Sequence, residues 1–198
     1  MVQNGFRRSG EHIYRPHCSE CKACISVRVC INDFYANDQY LKRNFKRVLK
    51  RNTDLEVAHC SDGDLAELYK LYEHYISARH RDGDMYPSSP QQYSSFLKQN
   101  LGNCEYLIFT LKGEPVAVAV TDILNDGLAA VYTFFNCELS ARSLGTLAIL
   151  YQIQYCQRLN LSYLYLGYWV KECRKMTYKH AFQPLEYYVN DGWTKQLP

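Results

Sequence analysis

The sequence lacks any uninterrupted apolar run near the roughly 20 residues that a membrane-spanning helix needs. Its polar opening, residues 1–10, has no apolar stretch of the kind found in secretory signal peptides. Internal repeats and low-complexity tracts are also absent, and 47% hydrophobic with 22% charged residues is an ordinary globular composition. We therefore expect a folded protein of one or two domains that has no membrane partner and resides in the cytoplasm.

Cysteine is plentiful but is not arranged as a disulfide framework. The nine cysteines are odd in number, and six of them are scattered singly. The other three are spaced as CxxCxxC, at Cys18, Cys21 and Cys24, which is close enough to share a metal. A closed zinc site needs four ligands, and no fourth ligand has a convincing spacing. The cluster is therefore either a metal site, for zinc or an iron–sulfur cluster, or a set of free thiols.

Acidic residues are scarce in the first part of the chain. Residues 1–60 carry eleven Lys and Arg against six Asp and Glu, although the whole chain has a formal net charge of only +3. Residues 40–51 are predicted to form an amphipathic helix with Leu41, Phe45, Val48 and Leu49 on its apolar face. Its other face is wholly basic and consists of Lys42, Arg43, Lys46, Arg47, Lys50 and Arg51. Because no acidic residue interrupts this face, we interpret it as a phosphate-contacting surface, the alternative being a solvated helix face.

The remaining elements predict an α/β protein with a mixed sheet. Helical periodicity predicts helices over residues 62–79 and 91–101, separated by a loop rich in Gly and Pro. Strand-like runs follow at residues 105–111, 115–121 and 128–135, and then a helix that ends near residue 159 and a strand over residues 162–169. We divide the chain into a cysteine-rich part, residues 1–38, and a second unit, residues 39–198.

A short turn opens the long helix and contains Arg142, Ser143 and Gly145. The first peptide N–H groups of a helix have no partner within the helix, so such a turn can hold an anion. The order of elements and this RxxG turn resemble the GNAT acyltransferase fold, in which the turn grips the pyrophosphate of coenzyme A. Leu147 stands where that turn usually has Gly or Ala, which argues against coenzyme A. The alternative is a helix cap without a ligand.

Seven blocks of sequence resemble one known family. They are GFRRSG at 5–10, YRPHCSECKACISVRV at 14–29, HRDGDMYP at 80–87, AVYTFFN at 130–136, RSLGTLAI at 142–149, YLYLGYW at 163–169 and CRKMTYKHAFQPLE at 173–186. In these blocks, which extend in order over essentially the whole chain, the sequence resembles the bacterial aminoacyl-tRNA-protein transferases. Within them it resembles the aspartate/glutamate leucyltransferase branch of the arginyl-tRNA-protein transferase superfamily.

The resemblance implies a GNAT-like fold and a specific reaction. Leucine passes from charged tRNA to the α-amine of proteins that begin with Asp or Glu, and this marks the acceptor for degradation in the N-degron pathway. The implied partners are aminoacyl-tRNA and such acceptor proteins, with no DNA, and the chemistry requires no cofactor. Members of the family carry a further segment before GFRRSG, so we expect this chain to begin just inside the cysteine-rich part.

An aminoacyl ester is already activated, so the reaction needs positioning and a weak base and no nucleophilic side chain. A guanidinium suits the acceptor carboxylate, and the candidates for substrate binding are Arg7, Arg8, Arg15, Arg28 and Arg79, with His80. Tyr168, at the end of the fourth strand, is a candidate donor to the oxyanion or to the leaving ribose oxygen. The further catalytic candidates are Glu172, Lys175 and Asp82, and the sequence singles out no unique base.

Three alternatives stay open at this point. The first is transfer of arginine instead of leucine to the same acceptors, because the shape of a pocket decides which amino acid is transferred. A coenzyme A-dependent N-acetyltransferase is a second enzyme class, and a cysteine-rich RNA-binding module without activity is a non-enzymatic one. Transfer from labelled tRNA to peptides discriminates among all three.

Overall fold

The computed structural model describes residues 1–10, 12–61, 65–98 and 103–197, without the side chains of residues 41, 96 and 98. The strands in this part of the chain are β1 (Arg7–Ser9), β2 (His12–Tyr14), β3 (Ile25–Cys30), β4 (Glu56–Cys60), β5 (Cys104–Leu111), β6 (Glu114–Ile123), β7 (Gly127–Phe135), β8 (Tyr163–Trp169), β9 (Leu185–Val189) and β10 (Gly192–Thr194). The helices are α1 (Ile31–Ala36), α2 (Arg43–Arg51), α3 (Tyr69–Arg79), α4 (Pro90–Lys98) and α5 (Leu144–Arg158). Short 3-10 helices lie at Val2–Asn4, Gln39–Leu41, Leu65–Leu68, Cys137–Arg142 and Thr177–Phe182.

Eight of these strands form one mixed sheet in the order β10-β9-β3-β8-β7-β6-β5-β4, and β1 and β2 pair separately as a hairpin. Within the sheet, β7 and β8 are parallel, and the other described neighbours are antiparallel. The predicted three-stranded meander, crossover helix and following strand are β5, β6, β7, α5 and β8, so the mixed α/β architecture is confirmed.

Both faces of the sheet are covered, because its strands carry buried apolar side chains on alternate sides. One core lies beneath α1, α2 and α5 and contains Val29, Phe34 and Phe45. The other lies beneath α3 and α4 and contains Tyr72 and Phe134. Each fully buried side chain of this size contributes about 1.5–3 kcal/mol, so the two layers hold the sheet in place.

Three predicted helices differ from the observed ones at their ends. The helix predicted over residues 40–51 is interrupted at Lys42, whose backbone is extended at φ −51 and ψ 135, so that α2 begins at Arg43. The helix predicted from residue 62 is a 3-10 turn at Leu65–Leu68 followed by α3, and residues 62–64 lie outside the described residues. In α4, the Ser89 hydroxyl accepts from the Gln92 N–H and sets the first turn, whereas residues 99–101 lie outside the description.

Residues 5–28, around Cys18, Cys21 and Cys24, have a sequence typical of short strands and loops. The sequence does not predict where residues 25–30 pair. They form β3, which lies between β8 and β9 in the middle of the sheet, with Ser26, Val27, Arg28 and Val29 all buried. The first part of the chain thus supplies a strand to the main sheet. The predicted division after residue 38 stays a prediction about organisation.

The parallel strands β7 and β8 separate after three paired positions. Gly127, Leu128 and Ala129 pair with residues 163–165, and beyond them no further pair joins the two described strands. We call the space between residues 130–131 of β7 and residues 166–168 of β8 the strand gap. Gly167 borders it with φ +74, and a Cβ built there would overlap the guanidinium of Arg7.

This overlap predicts a difference between two glycine substitutions. Gly113→Ala places a side chain at φ +85 with nothing within 4 Å, so it should cost only the backbone strain, about 1–2 kcal/mol. Gly167→Ala has comparable strain and must also displace Arg7, so we expect a clearly larger loss in the free energy of unfolding measured by urea denaturation. Equal losses in the two variants would show that Arg7 does not occupy the strand gap.

Candidate functional site

Arg7 fills the strand gap and bonds to both of its walls. Its Nη2 donates to the carbonyls of Ala130 at 3.1 Å and Val131 at 2.6 Å, and its Nη1 donates to that of Leu166 at 3.3 Å. These carbonyls are the backbone acceptors that separated strands leave without a ladder partner. No carboxylate in the described part of the chain forms an ion pair with Arg7, so its charge is met by neutral carbonyls.

Lys179 lies on the 3-10 helix Thr177–Phe182, near enough to Arg7 for the charge of Arg7 to act on it. Its side chain is 7% exposed, and its Nζ donates to the carbonyl of Tyr168. Leu166, which accepts from Arg7, and Tyr168 are separated by Gly167, where the positive φ and a register shift against β3 interrupt the regular alternation of β8. Burial, assisted by the charge of Arg7 and opposed by Cys173, lowers the pKa of Lys179 to about 7.

The strand gap holds Arg7, and the buried Lys179 lies near Arg7; neither has an ion-pair partner among the described residues. A buried charge without a counter-ion is costly, and proteins avoid it by pairing the charge or by neutralising it. Lys179 shows the second response in its lowered pKa. The gap is therefore electrostatically suited to receive an anion.

The other arginines predicted in the first part already have acidic partners. Arg8 holds Asp122 through Nη2–Oδ1 at 2.5 Å and Nε–Oδ2 at 2.6 Å, with both side chains largely buried. Arg28 pairs with Glu186 at 2.7 Å, with its guanidinium 3.5 Å from the centre of the Tyr163 ring. Arg15 lies 3.5 Å from Asp191 on the surface. Of these four arginines, Arg7 is thus the one that has neutral carbonyls and no carboxylate as partners among the described residues.

A second group of predicted residues meets at the end of α3. Lys175 Nζ lies 2.7 Å and 2.8 Å from the two carboxylate oxygens of Asp82, so the fold brings these two catalytic candidates together. His80 lies beside them, and burial, followed by the charges of Lys175 and Arg79, lowers its pKa. The Arg79 guanidinium is exposed and lies 5.9 Å from the centre of the Phe135 ring. Glu172 is exposed on the chain that follows β8.

Tyr178 connects the two groups. Tyr178 is 48% exposed, but its hydroxyl is desolvated, which raises its pKa, and the nearby charge of Arg7 opposes this rise. Burial raises the pKa of Tyr75 to about 12, and the nearby Tyr178 hydroxyl contributes to this rise. The Tyr75 ring centre lies 5.3 Å from that of His80. The strand gap and the group at the end of α3 are thus neighbouring parts of one region.

Tyr168 has a position different from the one expected of an oxyanion donor. Its hydroxyl lies 3.0 Å from the carbonyl of Gly5 and 3.1 Å from that of Tyr14, and it has a single proton to donate. Burial, with a smaller contribution from Tyr14, raises its pKa to about 12. The hydroxyl holds the first segment of the chain against β8, and its catalytic role stays a prediction.

The turn before α5 is tied to the end of α2. Arg142 donates to the two carboxylate oxygens of Asp54 at 2.7 Å and 2.8 Å, and Ser143 adopts a left-handed conformation at φ 54. A Cβ built on Gly145 would lie 3.2 Å from the Phe135 ring, so the glycine permits close contact with the ring beside Arg79. The start of α5 therefore lies between the basic helix and the group at the end of α3.

The basic face of α2 is largely solvent-exposed. Phe45 and Val48 are buried, as the sequence predicts. In the described part of the chain, no acidic side chain forms an ion pair with Arg43, Lys46, Arg47 or Lys50. Lys42 and Arg51 instead donate to the carbonyls of Ala181 and Ala141. The contact with phosphate stays a prediction, and the exposed face is consistent with it.

The structure does not test the metal site predicted at the cysteine cluster. Cys18, Cys21 and Cys24 are exposed free thiols. Among the residues that the structure describes, no three His, Cys, Asp or Glu side chains are grouped closely enough to hold a metal. Burial, followed by the neighbouring thiols of Cys21, Cys18 and Cys173, raises the pKa of Cys24. Metal binding stays a prediction, and we derive no step from it.

Lys179 is the residue of this region that sequence reasoning missed. It belongs to the block CRKMTYKHAFQPLE, but nothing in the sequence distinguishes it from the nearby Lys171 and Lys175. Those two lysines are exposed, whereas the 3-10 helix turns Lys179 inward. Its lowered pKa arises from this burial and from Arg7, which is 172 residues away in sequence, and such a contact leaves no local pattern.

Two family models cover most of the chain. Residues 1–47 match the model described as arginine-tRNA-protein transferase, N terminus, and residues 67–189 match the model for the C terminus of the same family. A protein named aspartate/glutamate leucyltransferase from Alcanivorax borkumensis is 51% identical over 192 residues, which is 97% of this chain and 77% of the relative. Proteins of the same name from Pseudomonas aeruginosa and Marinobacter nauticus are each 49% identical, over 98% and 96% of this chain and 80% and 78% of theirs.

Solved structures with a similar fold are distant in sequence. A C-terminal domain (DUF2156) from Agrobacterium fabrum has a TM-score of 0.60 at 11% identity and covers 86% of this chain and 61% of its own. L-PGS from Bacillus licheniformis has a TM-score of 0.55 at 11% identity, with 75% and 46% covered. At this identity the likeness concerns the fold. No helix in the described ranges combines the length and the apolar character needed to cross a membrane.

The burial of Lys179 predicts a stability that depends on pH. The folded protein releases this proton near pH 7, whereas an unfolded lysine keeps it to about pH 10.4, so between these values the unfolded chain binds more protons. The free energy of unfolding that this group contributes therefore rises with pH. We expect Lys179→Met to raise the midpoint of thermal unfolding by several degrees below pH 7, with the gain shrinking toward pH 10.

The exposed Lys70 provides the matched control, because Lys70→Met removes a lysine that water solvates in both states. Its unfolding midpoint should follow that of the unmodified protein at every pH. If Lys179→Met followed the unmodified protein in the same way, Lys179 would carry no buried charge penalty.

Proposed function

Because the chain belongs to the arginine-tRNA-protein transferase family, we propose that its strand gap is where leucine passes from leucyl-tRNA to the N-terminal amine of proteins that begin with Asp or Glu. The chain is an aminoacyltransferase, and its relatives carry the name aspartate/glutamate leucyltransferase. Such transfer marks the acceptor for degradation in the N-degron pathway, in the cytoplasm. The partners are aminoacyl-tRNA and the acceptor protein.

The observation that carries the assignment of the acceptor site is the pair of basic groups without acidic partners, Arg7 and Lys179. The side chain of an N-terminal Asp or Glu brings the missing negative charge into the strand gap. An acceptor that begins with Asn, Ala or Lys leaves the guanidinium of Arg7 without a counter-ion. A site built around a buried charge rejects a ligand that does not pair with it, which gives selectivity without contacts to the rest of the acceptor.

The reaction needs no nucleophile from the protein, because the aminoacyl ester is already activated. The neutral α-amine attacks the ester carbonyl carbon, the C–N bond forms, and the C–O bond to the tRNA ribose breaks. The proton lost by nitrogen ends on the ribose oxygen. Arg79 and His80, at the end of α3, are placed to stabilise the negative charge that develops on the carbonyl oxygen. The ion pair of Asp82 and Lys175 holds the loop after α3 next to the chain that follows β8.

Leucine suits this region better than arginine as the transferred residue. Arg7, Lys179 and Arg79 already bring positive charge to the strand gap and its rim, and a cationic side chain would add to their repulsion. An uncharged aliphatic side chain has no such cost. Aromatic rings of Tyr75 and Phe135, whose centres are 5.0 Å apart, provide apolar contact surface in the same region.

The separation of β7 and β8 supports a GNAT-like fold, in which neighbouring parallel strands diverge at the site of acyl transfer. Arg7 occupies the gap and bonds to carbonyls on both walls, so any group that enters between the strands exchanges its own contacts for some of these hydrogen bonds. The argument against coenzyme A comes from the turn before α5. Leu147, which is buried in the core, departs from the pattern of a pyrophosphate-binding turn.

The tRNA approaches along the exposed basic face of α2. The start of α5 and Phe135 lie between this face and Arg79 at the end of α3. Tyr178 lies between Arg79 and the strand gap. The basic helix thus holds the phosphates while the aminoacyl end reaches the acceptor amine. Long-range attraction by this face is expected to weaken with salt, as for other phosphate-binding surfaces.

The central test measures transfer directly. Purified protein is incubated with radiolabelled Leu-tRNA or Arg-tRNA and with peptides that begin with Asp, Glu, Asn, Lys or Ala. We expect leucine to be incorporated into the Asp and Glu peptides. Arg7→Met should lower kcat/KM for these peptides by about 100-fold, the order expected when one member of a buried charge pair is lost. Arg158→Met, far along α5, is the matched control.

Three results would contradict the proposal. Incorporation into the Lys or Ala peptides in preference to Asp and Glu would overturn the assignment of the acceptor. Binding of acetyl coenzyme A with no response to charged tRNA would instead favour an acetyltransferase. Binding of tRNA with no transfer to any peptide would favour an RNA-binding module.

The tRNA surface has its own test. In Lys46→Glu/Arg47→Glu/Lys50→Glu, we expect weaker tRNA binding and a smaller dependence of log K on log salt, because each lost phosphate contact removes about 0.7–0.9 from the slope. Fluorescence anisotropy with labelled tRNA over a range of salt concentrations measures both quantities. Lys70→Glu changes one exposed charge on α3 and should leave the slope unchanged. An unchanged slope in the triple variant would remove α2 from the tRNA site.

A further inference from the structure

A cavity of about 190 Å³ adjoins the strand gap beside the β1–β2 hairpin, and we call it the hairpin cavity. Arg7 is one of its walls, so the side chain that fills the gap also borders the cavity. Most of the other lining side chains are apolar, and they are Met1, Val2, Phe6, Ile13, Ile123 and Leu124. An apolar cavity of about 150 Å³ can hold a benzene molecule, so the hairpin cavity has room for an aliphatic side chain.

The polar part of the lining leaves the charge of Arg7 as the one that a ligand would meet. Arg8 and Asp122 also border the cavity, but they form an ion pair in which each charge offsets the other. Asn103 is uncharged. The walls therefore suit an apolar group, and the positive charge of Arg7 disfavours a cationic one.

Two of the apolar lining residues are open to solvent. Met1 is 72% exposed and Ile13 is 37% exposed. Apolar residues scattered singly on a surface are ordinary, but these two border the same cavity, and apolar surface beside polar groups often marks a binding site. A ligand can thus enter from solvent, and its apolar part would cover side chains that otherwise face water.

The register of the sheet sets the order of three features along β7. The hairpin cavity lies beside residues 128–129, which pair with its lining residues 122–123 on β6. The guanidinium of Arg7 bonds to the carbonyls of residues 130–131, and the group at the end of α3 contacts Phe135 further along the strand. Arg7 therefore lies between the hairpin cavity on one side and the proposed position of the ester on the other.

An acceptor polypeptide bound by its first residue follows the same order. Under the proposed function, its α-amine faces the ester near the end of α3, and its acidic side chain pairs with Arg7. The rest of the chain then continues away from the ester, toward the hairpin cavity. Consecutive Cα atoms are only about 3.8 Å apart, so a cavity that shares Arg7 with the first residue's site is within reach of the second residue.

We propose that the hairpin cavity binds an apolar side chain at the second position of the acceptor, so that the protein selects acceptors by two residues of their N-terminus. The inference rests on the proposed function and deepens it. Arg7 selects the acidic first residue, and the cavity ranks the acceptors that have one. An acceptor that begins Asp-Leu is then used better than one that begins Asp-Ser, and Asp-Lys is used least.

The first test varies the second residue alone. Peptides that begin Asp-Leu, Asp-Ser and Asp-Lys, with the same sequence after them, are compared as acceptors of radiolabelled leucine from Leu-tRNA. Burial of a leucine side chain predicts a kcat/KM about 10-fold higher for Asp-Leu than for Asp-Ser, and Asp-Lys should lie below both. The control peptide begins Asp-Ser and has leucine at position four, and it should match Asp-Ser. Equal values for the three second residues would overturn the inference.

The second test changes the wall of the cavity. Ile13 lies on the exposed strand β2, so Ile13→Asp alters the lining without removing a core residue. We expect this variant to lose the preference for Asp-Leu and to use Asp-Lys about threefold better than the unmodified protein does, as an exposed ion pair allows. A gain with one peptide cannot come from misfolding.

Leu159→Asp is the matched control, because Leu159 is an apolar residue of similar exposure, 43%, at the end of α5 and outside the lining of the cavity. This variant should rank the three peptides as the unmodified protein does. If Ile13→Asp kept that ranking too, the cavity would have no part in reading the second residue.

Cross-linking locates the side chain without relying on transfer. An Asp peptide whose second residue is a leucine analogue with a photoreactive diazirine is irradiated with the protein and uncharged tRNA, and the labelled residues are identified by mass spectrometry. We expect labels at Phe6, Ile13, Ile123 or Leu124, and far fewer there when the analogue stands at position four. The same analogue esterified to tRNA should label other residues. If it labels these four, the cavity holds the transferred leucine and the inference is overturned.

The outcomes separate this inference from the function on which it rests. If leucine is transferred to Asp peptides regardless of their second residue, or if the photoreactive peptide labels the protein away from the hairpin cavity, the inference is overturned and the proposed function stands. If no leucine is transferred to Asp or Glu peptides, both are overturned.

Discussion

The guanidinium of Arg7 lies in a gap between two parallel strands, and the candidate site depends on its staying there. Its hydrogen bonds to Ala130, Val131 and Leu166 satisfy backbone carbonyls that the separated strands leave open. The same contact explains why position 167 is a glycine, because any Cβ there would occupy the space of the guanidinium. Its charge also opposes protonation of Lys179. One interaction therefore stabilises the open strands and prepares the gap for an anion.

Distant parts of the chain converge on this gap. The first strand supplies Arg7, β7 and β8 supply the carbonyls, and the segment after β8 supplies Lys179. The group at the end of α3 and the turn before α5 lie next to it, and α2 presents a basic surface beyond them. The proposed acceptor site and the proposed tRNA surface thus lie in neighbouring parts of the molecule, as transfer between a nucleic acid and a protein requires.

Local periodicity predicts the elements whose residues face a core on one side. The three-stranded meander, α5 and the apolar face of α2 with Phe45 and Val48 follow from it. The central position of β3 was not predicted, because its partners β8 and β9 are distant in sequence and the cysteine-rich stretch before it has no regular pattern. The site was predicted in part. The sequence offered Arg7 as one of several candidate arginines. What sets it apart is that Arg8 and Arg28 have acidic partners more than 100 residues away in sequence. The burial of Lys179 likewise depends on parts of the chain that are distant in sequence.

The central place of β3 has a consequence for synthesis of the protein. This strand, residues 25–30, pairs with β8 and β9, which are made only after residues 163 and 185 have been reached. At a translation rate of about 5–20 residues per second, the nascent chain carries β3 for roughly 10–30 s before its partners leave the ribosome. During that interval a run of apolar backbone, later the middle of the sheet, has both hydrogen-bonding edges open. The ribosome-bound chain is thus most exposed to chaperones and to self-association before its last third exists.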